Sequence, residues 1–467
     1  MNLKRFFGDK KFYKMVLAVA VPIMVQNGIT NFVNMLDNVM VGRLETEAMS
    51  GVTIVNQFVF IFNLLIFGAI SSAGIFTAQF HGLGDREGKR DTFRFKIIIV
   101  TIASLLCMAI FLAFDDGLVS LFLHESEQQG DLALTLEYGK SYLAIIVLGF
   151  IPFAISQSYG STLRETGKPM IPMTASIVAV VVNLVFNYVL IFGHFGAPAL
   201  GVRGAAIATV ISRFVELGYI VIWTHRHSDE ADFIIGAYRS LHIPRSLVGS
   251  IVVRGLPLMV NEFLWSMGVT FTNQCYSLRG IGVVAALNIS TTISNVFNVV
   301  YMALGVAISI VVGNLLGAGK LEEAKDTDRK MITFSALCAV GVGLLLVALS
   351  SVFPQMYNTT DEAKQIATYM IIVYSLIMPA HAFANAAYFT LRSGGQVFIT
   401  VLFDSVYMWV VAVPISAILG YLTNINIYWL YLACQSLEIV KAGFGLALVK
   451  HGSWVKQLVG NKSEKVA

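Results

Sequence analysis

Residues 77–91 read TAQFHGLGDREGKRD, and residues 312–326 read VGNLLGAGKLEEAKD. The second stretch begins 235 residues after the first, so that Gly82 matches Gly317. Each stretch closes a long apolar segment with a glycine-bearing, charged loop. This pair of loops indicates that the chain is built from two similar halves. A unit of more than two hundred residues is too long for a solenoid repeat, whose period is about 20–50 residues.

The match around these loops extends without a gap over residues 22–91 and 257–326. Register over so long a stretch rarely arises by chance, so we interpret the chain as a duplication. A second pair of loops supports this interpretation: LRETGKPMIP begins at Leu163, and LRSGGQVF begins at Leu391. Each of these loops lies between the fourth and fifth apolar segments of its half.

The composition indicates an integral membrane protein. Of 467 residues, 56% are hydrophobic and 13% are charged, and the mean hydropathy is +0.73. Because lipid offers no partner to an open strand edge, we predict an all-α membrane protein. About 20 apolar residues cross a bilayer. The segments of this length are 15–41, 52–80, 97–114, 142–161, 170–191, 200–223, 256–275, 283–316, 332–353, 366–389, 397–419 and 427–449.

The loops between these twelve spans predict the orientation. The loops after the second and eighth spans, the stretch 225–254 and both termini are rich in Lys and Arg. By the positive-inside rule both termini lie in the cytoplasm, and the protein is multi-pass in the inner (plasma) membrane. We predict an N-terminal six-helix bundle at 1–224, a cytoplasmic linker at 225–250 and a C-terminal six-helix bundle at 251–467. An even number of spans in each half relates the two bundles by a pseudo-two-fold axis along the membrane normal.

The glycine loops resemble the paired "A-G-Q-x-x-G-A-G" loops of multidrug and toxic compound extrusion (MATE) transporters. LRETGKPMIPM at 163–173 resembles a further loop of that family, and VPIMVQ with LDNVMVGRL in the first span resembles its opening motif. The resemblance implies two six-helix bundles around a central cavity. It also implies a secondary active antiporter that exports organic, often cationic compounds or drugs in exchange for inward H⁺ or Na⁺ by alternating access.

The resemblance further defines the expected partners. They are a small organic substrate, H⁺ or Na⁺, and membrane lipid. We expect a monomer that uses no cofactor and binds no nucleic acid. An enzyme is not expected, because the eight histidines are scattered and show no HExxH spacing.

Two carboxylates within apolar spans are candidates for ion coupling. Asp37 lies in the first span, and Glu262 lies in the seventh, five residues after Pro257. A charged residue at mid-membrane costs about 2.5–3.5 kcal/mol to insert and commonly marks an ion or proton pathway. The alternative is that Asp37 sits at the outer interface or is satisfied by Asn34 or Asn38. The resemblance matches the family's first-span aspartate to Asp37 and a glutamate of its sodium-coupled branch to Glu262.

His381 departs from the family pattern. The sodium-coupled branch has an aspartate at this point of the tenth span. Hard cations prefer oxygen ligands, and an imidazole changes its charge near neutral pH. His381 therefore favours protons over a Na⁺ site at Glu262, although a helix–helix hydrogen bond is the simpler interpretation of this residue. We predict no other metal site.

Several amides are candidates for a substrate cavity or a hydrogen-bond network. Asn183 and Asn187 lie four residues apart and share one helix face, so both can face Asp37. The archaeal branch of the family has a second carboxylate in this span, which the chain lacks. The remaining candidates are Asn34, Asn273 and Asn385, for which a packing role is the alternative. Two charge pairs at i, i+3 spacing, Arg213 with Glu216 and Glu438 with Lys441, are predicted to neutralise themselves.

Two other transporter classes remain open as alternatives. GLGDREGKR at 82–90 also resembles a loop motif of major facilitator transporters, but the matching loop at 317–326 lacks the Asp-Arg pair. A lipid-linked oligosaccharide flippase is the other alternative. Such proteins usually have more spans than the twelve predicted here.

Overall fold

The computed structural model describes residues 5–42, 44–120, 132–357 and 359–460. Throughout these residues the secondary structure is helical, with no strand. The all-α prediction is therefore confirmed.

In the first half of the chain, the described residues form eight α-helices. They are α1 (Lys10–Val41), α2 (Thr46–Leu83), α3 (Arg86–Ala113), α4 (Asp115–Ser120), α5 (Leu132–Ile146), α6 (Phe150–Glu165), α7 (Met170–Phe192) and α8 (Gly201–Arg226). A 3₁₀ turn, Val147–Gly149, joins α5 to α6. Further 3₁₀ turns follow at His194–Gly196, Asp232–Ile234 and Ala237–Arg239.

The part of the second half that the structure describes contains seven α-helices. They are α9 (Arg245–Ser277), α10 (Ile281–Gly317), α11 (Leu321–Leu349), α12 (Asp361–Ser393), α13 (Val397–Val401), α14 (Val413–Tyr421) and α15 (Ile427–His451). A 3₁₀ turn spans Phe353–Met356. Between α13 and α14 the chain forms two π-helical turns, Leu402–Val406 and Met408–Ala412.

The described residues contain twelve helical segments that are long and apolar enough to cross a membrane. This confirms the predicted number of spans. The helices extend beyond the predicted apolar stretches, because a helix satisfies its own backbone hydrogen bonds on either side of the membrane surface. With 38 residues, α2 is about 57 Å long, against a hydrocarbon core of about 30 Å.

The ends of α2 and α10 have the same backbone geometry at matching positions. Gly84 has φ +78° and Gly319 has φ +74°, which is the left-handed conformation that glycine adopts most readily. The amide of Gly84 donates to the carbonyl of His81, and the amide of Gly319 donates to that of Leu316, both at 3.1 Å. The glycines of the two charged loops thus end their helices in the same way.

The chain forms two compact units that are not contiguous halves. One unit comprises Met1–Met24, Ala78–Asp85 and Val253–Ala467, and the other comprises Val25–Thr77 and Arg86–Val252. Each unit has its own buried apolar core. In the second unit Phe62 stacks on Phe150 with ring centroids 3.9 Å apart.

Within the first unit, residues 78–85 pack against α10 through reciprocal backbone contacts. A methyl group at Gly82 would overlap the carbonyl of Asn314, and one at Gly317 would overlap the carbonyl of Gln79. These positions are related by the 235-residue offset. The side chain of Gln79 adds a hydrogen bond of 3.0 Å to the carbonyl of Ser393 and accepts one of 2.7 Å from the amide of Leu458.

Candidate functional site

A polar cluster between α1 and α7 contains three of the candidate residues. The amide nitrogen of Asn187 lies 2.6 Å from Oδ1 of Asp37 and 3.1 Å from Oδ1 of Asn183. All three residues belong to the same compact unit. The expected approach of two amides to Asp37 is therefore present, although only Asn187 bonds to the carboxylate directly.

The amides of this cluster are deeply buried. Asn183 is 4% exposed and Asn187 is 1% exposed, and Asn183 donates a long bond of 3.4 Å to the hydroxyl of Thr209. Among the described residues, Oδ1 of Asn187 has no hydrogen-bond partner. A buried acceptor without a donor is costly. The cluster thus combines a carboxylate with an unsatisfied oxygen, which is an environment that favours a proton or a small cation.

A second polar network runs through the same unit from α8 to α1. Arg213 lies 3.3 Å from Glu216, as its spacing predicted. The other carboxylate oxygen of Glu216 accepts a 2.9 Å bond from Ser176, and Ser176 accepts one of 2.9 Å from Gln26. Our sequence reasoning missed Ser176 and Gln26, since neither residue has a charge or spacing that distinguishes it.

The surroundings of Asp37, which is half-buried, differ from those of Glu165 and Glu216, each of which forms an ion pair. Arg213 acts electrostatically on Asp37, but its ion pair is with Glu216. Among the described residues, Asp37 belongs to no ion pair within 4.0 Å, whereas Glu165 pairs with Lys96 at 2.5 Å. Asp37 is thus held by a neutral amide and not by a cationic side chain in contact with it.

Glu262 on α9 is compensated by its neighbours on α12. The hydroxyl of Tyr388 donates a 2.6 Å bond to Glu262, and Arg392 lies 4.0 Å from the same carboxylate oxygen. The side chains of Arg392 and Glu262 are 4% and 19% exposed. A carboxylate already facing a buried guanidinium is a weaker candidate for ion exchange than Asp37.

The predicted pairing of Lys441 with Glu438 is wrong. Lys441 donates a 2.6 Å bond to Oδ1 of Asp404, and Asn261 donates a 2.9 Å bond to Oδ2. The long, flexible stem of lysine allows the ammonium to leave its own helix face and reach a neighbouring segment. Glu438 instead lies 3.7 Å from Nδ1 of His381.

The remaining candidates are dispersed. His381 contacts Gln435 at 3.2 Å and stacks on Tyr374, so the simpler expectation of a helix–helix hydrogen bond describes its geometry. Asn385 donates to the carbonyl of Tyr301 at 3.1 Å. Asn273 is half-buried on α9, about 16 Å along the helix from Glu262.

The side chain of Asn34 is outside the part of the structure that is described. Within the described residues, no group of three or more His, Cys, Asp or Glu side chains is placed to hold a metal ion. The arrangement around Asp37 is instead one that can exchange a single charge.

The described residues form twelve apolar helical segments with charged side chains buried among them, an arrangement typical of membrane transporters. Residues 22–189 and 257–422 both match the MatE family model. The chain belongs to the MatE family of membrane transporters, and the family resemblance of its loops is confirmed. Proteins of this family are transporters and not enzymes.

The relatives agree with this assignment. The chain is 22% identical to the probable multidrug resistance protein NorM of Thermotoga maritima, covering 96% of this chain and 94% of the relative. It is 25% identical to the multidrug resistance protein PmpM of Pseudomonas aeruginosa, covering 87% and 84%.

Solved structures share the fold. An outward-facing multidrug resistance MATE family transporter is 17% identical, with a TM-score of 0.84 over 96% of this chain and 98% of its own. A MOP superfamily transporter from Pyrococcus furiosus is also 17% identical, with a TM-score of 0.84 over 97% and 98%. At these identities the likeness concerns the fold alone.

Proposed function

We propose that the protein is a secondary active antiporter that exports organic, often cationic compounds in exchange for inward H⁺, with Asp37 as the coupling residue. Both termini and the basic loops face the cytoplasm in this proposal, the membrane is the inner (plasma) membrane, and the protein works as a monomer. The distribution of Lys and Arg supports the orientation. Na⁺ is the alternative coupling ion, as in the branch of the family that matches Glu262.

The observation that carries the proposal is the contact between Asp37 and Asn187. The carboxylate receives one bond of 2.6 Å from a neutral amide and, among the described residues, has no ion-pair partner within 4.0 Å. A half-buried carboxylate in this state gains from any cation that reaches it. A proton and the cationic group of a substrate can both fill that role, but they cannot do so at the same time.

Competition between proton and substrate for the charge of Asp37 is sufficient to couple proton entry to substrate export. With Asp37 ionised, the site retains an organic cation. Protonation from the outside removes the charge and releases the substrate outward. The protonated carrier then exposes Asp37 to the cytoplasm, where the proton leaves and the next substrate binds. A ligand shifts such a cycle only through its different affinities for the two states.

Transport into liposomes tests the proposal. Purified protein is reconstituted with a fluorescent organic cation, and either a pH gradient or a Na⁺ gradient is imposed. We expect the pH gradient alone to drive transport of the dye across the liposome membrane. We expect the Asp37→Asn variant to show no such transport. Asp326→Asn, which removes a carboxylate bonded to Lys330 near the start of α11, is the matched control and should transport normally. Dye movement that requires Na⁺, or that survives Asp37→Asn, would overturn the proposal.

A further inference from the structure

A second charged cluster lies in the C-terminal part of the chain, where three segments meet. Asn261 comes from α9, Asp404 from the first π-helical turn and Lys441 from α15. The ammonium of Lys441 is 2.6 Å from one carboxylate oxygen of Asp404, and the amide of Asn261 is 2.9 Å from the other. The side chains of Lys441 and Asp404 are only 8% and 13% exposed.

The backbone around Asp404 is fixed against α9. The hydroxyl of Ser405 donates to both oxygens of Asn261, at 2.7 Å to the side chain and 2.9 Å to the carbonyl. The indole of Trp409 donates to the carbonyl of Leu264 at 2.9 Å. π-helical turns inside helices are frequent at functional sites, and here they occur in the segment that carries Asp404.

The charges of this cluster do not balance. Lys441 contacts Asp404, while Glu438, one turn earlier on α15, acts on the ammonium electrostatically without an ion pair within 4.0 Å. His381 lies 3.7 Å from Glu438 and carries a charge only when it is protonated. When His381 is neutral, the two carboxylates of Asp404 and Glu438 and the one ammonium of Lys441 leave this cluster with a net charge of −1. The carboxylate oxygen of Asp404 that holds the ammonium is of the kind that hard cations take as a ligand.

We propose that Asp404, with the uncompensated charge of Glu438 nearby, forms a cation site whose resident cation is the ammonium of Lys441, and that removing this ammonium opens the site to a small monovalent cation such as Na⁺. Lys441 is tethered to the chain, so it acts at an effective concentration that a free ion must match. The intact protein therefore has no need of Na⁺ at this position. The inference is independent of the role proposed for Asp37.

Thermal unfolding of the purified protein tests this proposal. Tm is measured while NaCl replaces N-methyl-glucamine chloride at constant ionic strength. The wild-type protein should show no Na⁺-dependent shift. Lys441→Met keeps most of the side-chain length and removes the charge. Its Tm should be lower without Na⁺ and should rise by roughly 2–4 °C once Na⁺ exceeds its dissociation constant several-fold.

Two further variants control this measurement. Lys441→Met combined with Asp404→Asn removes both charges and should lose the Na⁺ response, whereas Lys441→Arg restores a cation and should behave as the wild type. If Lys441→Met does not fold well enough to purify, Lys441→Gln is assayed for thermal aggregation in native membranes.

A Lys441 variant without any Na⁺ response would contradict the inference, and so would a response that survives Asp404→Asn. A wild-type Na⁺ response that depends on Asp404 would also contradict it. Since Tm is read without transport, none of these results bears on the coupling role of Asp37.

Discussion

The amide nitrogen of Asn187 lies 2.6 Å from the carboxylate of Asp37, and the amide oxygen of the same side chain has no partner among the described residues. One residue of α7 therefore supplies the donor that orients Asp37 and also an acceptor beside it. The donor favours the ionised carboxylate, and the acceptor favours an added proton or cation. This balance suits a group that changes its charge during each transport cycle.

Substituting Asn187 should disturb coupling more than folding. In Asn187→Ala the carboxylate loses its donor, and a hydrogen bond to a charged group contributes about 1.5–3 kcal/mol. We expect dye transport driven by the pH gradient to fall by about tenfold or more. Asn288→Ala, which changes an exposed asparagine on α10, should leave transport unchanged. Normal transport by Asn187→Ala would show that this bond is dispensable.

Glu262 should matter for stability and only weakly for coupling. In Glu262→Gln the side chain keeps its size, but Arg392 loses a carboxylate 4.0 Å away and Tyr388 loses a charged acceptor. We expect a loss of about 1.5–3 kcal/mol in the free energy of unfolding, read as a lower Tm, while the pH gradient still drives transport. If Glu262→Gln instead abolished transport at an unchanged Tm, the coupling role would belong to Glu262.

The reciprocal glycine contacts should be equally sensitive to a methyl group. In Gly82→Ala and in Gly317→Ala the new Cβ overlaps a backbone carbonyl, which cannot move aside as a side chain can. We expect each variant to lose about 1–3 kcal/mol of stability, by similar amounts. Gly341→Ala in α11 places its Cβ in open space and should be neutral or slightly stabilising. Variants as stable as Gly341→Ala would mean that the contacts do not hold the loop.

Patterns local in sequence predicted much of the fold and part of the site. The twelve spans follow from apolar length, and the helix ends at Gly84 and Gly319 follow from the glycines of the loops. The approach of Asn187 to Asp37 could be anticipated because four-residue spacing defines a helix face. The ion pair of Arg213 with Glu216 was predictable for the same reason.

Contacts between distant segments could not be predicted in this way. Lys441 was expected to pair with Glu438 on its own helix, but it reaches Asp404 in another segment. The π-helical turns that carry Asp404 have no signal in the hydropathy pattern. Residues 78–85 cluster with the C-terminal part of the chain, through the packing of Gly82 and Gly317 and the hydrogen bonds of Gln79.

Proton release on substrate binding tests the central claim most directly. Purified protein in weakly buffered detergent solution is mixed with an organic cation, and the released protons are followed with a pH indicator. If substrate and proton compete for Asp37, the wild-type protein should release up to about one proton per bound substrate, and Asp37→Asn should release none. Substrate binding without proton release by the wild type, or undiminished release by Asp37→Asn, would contradict the account.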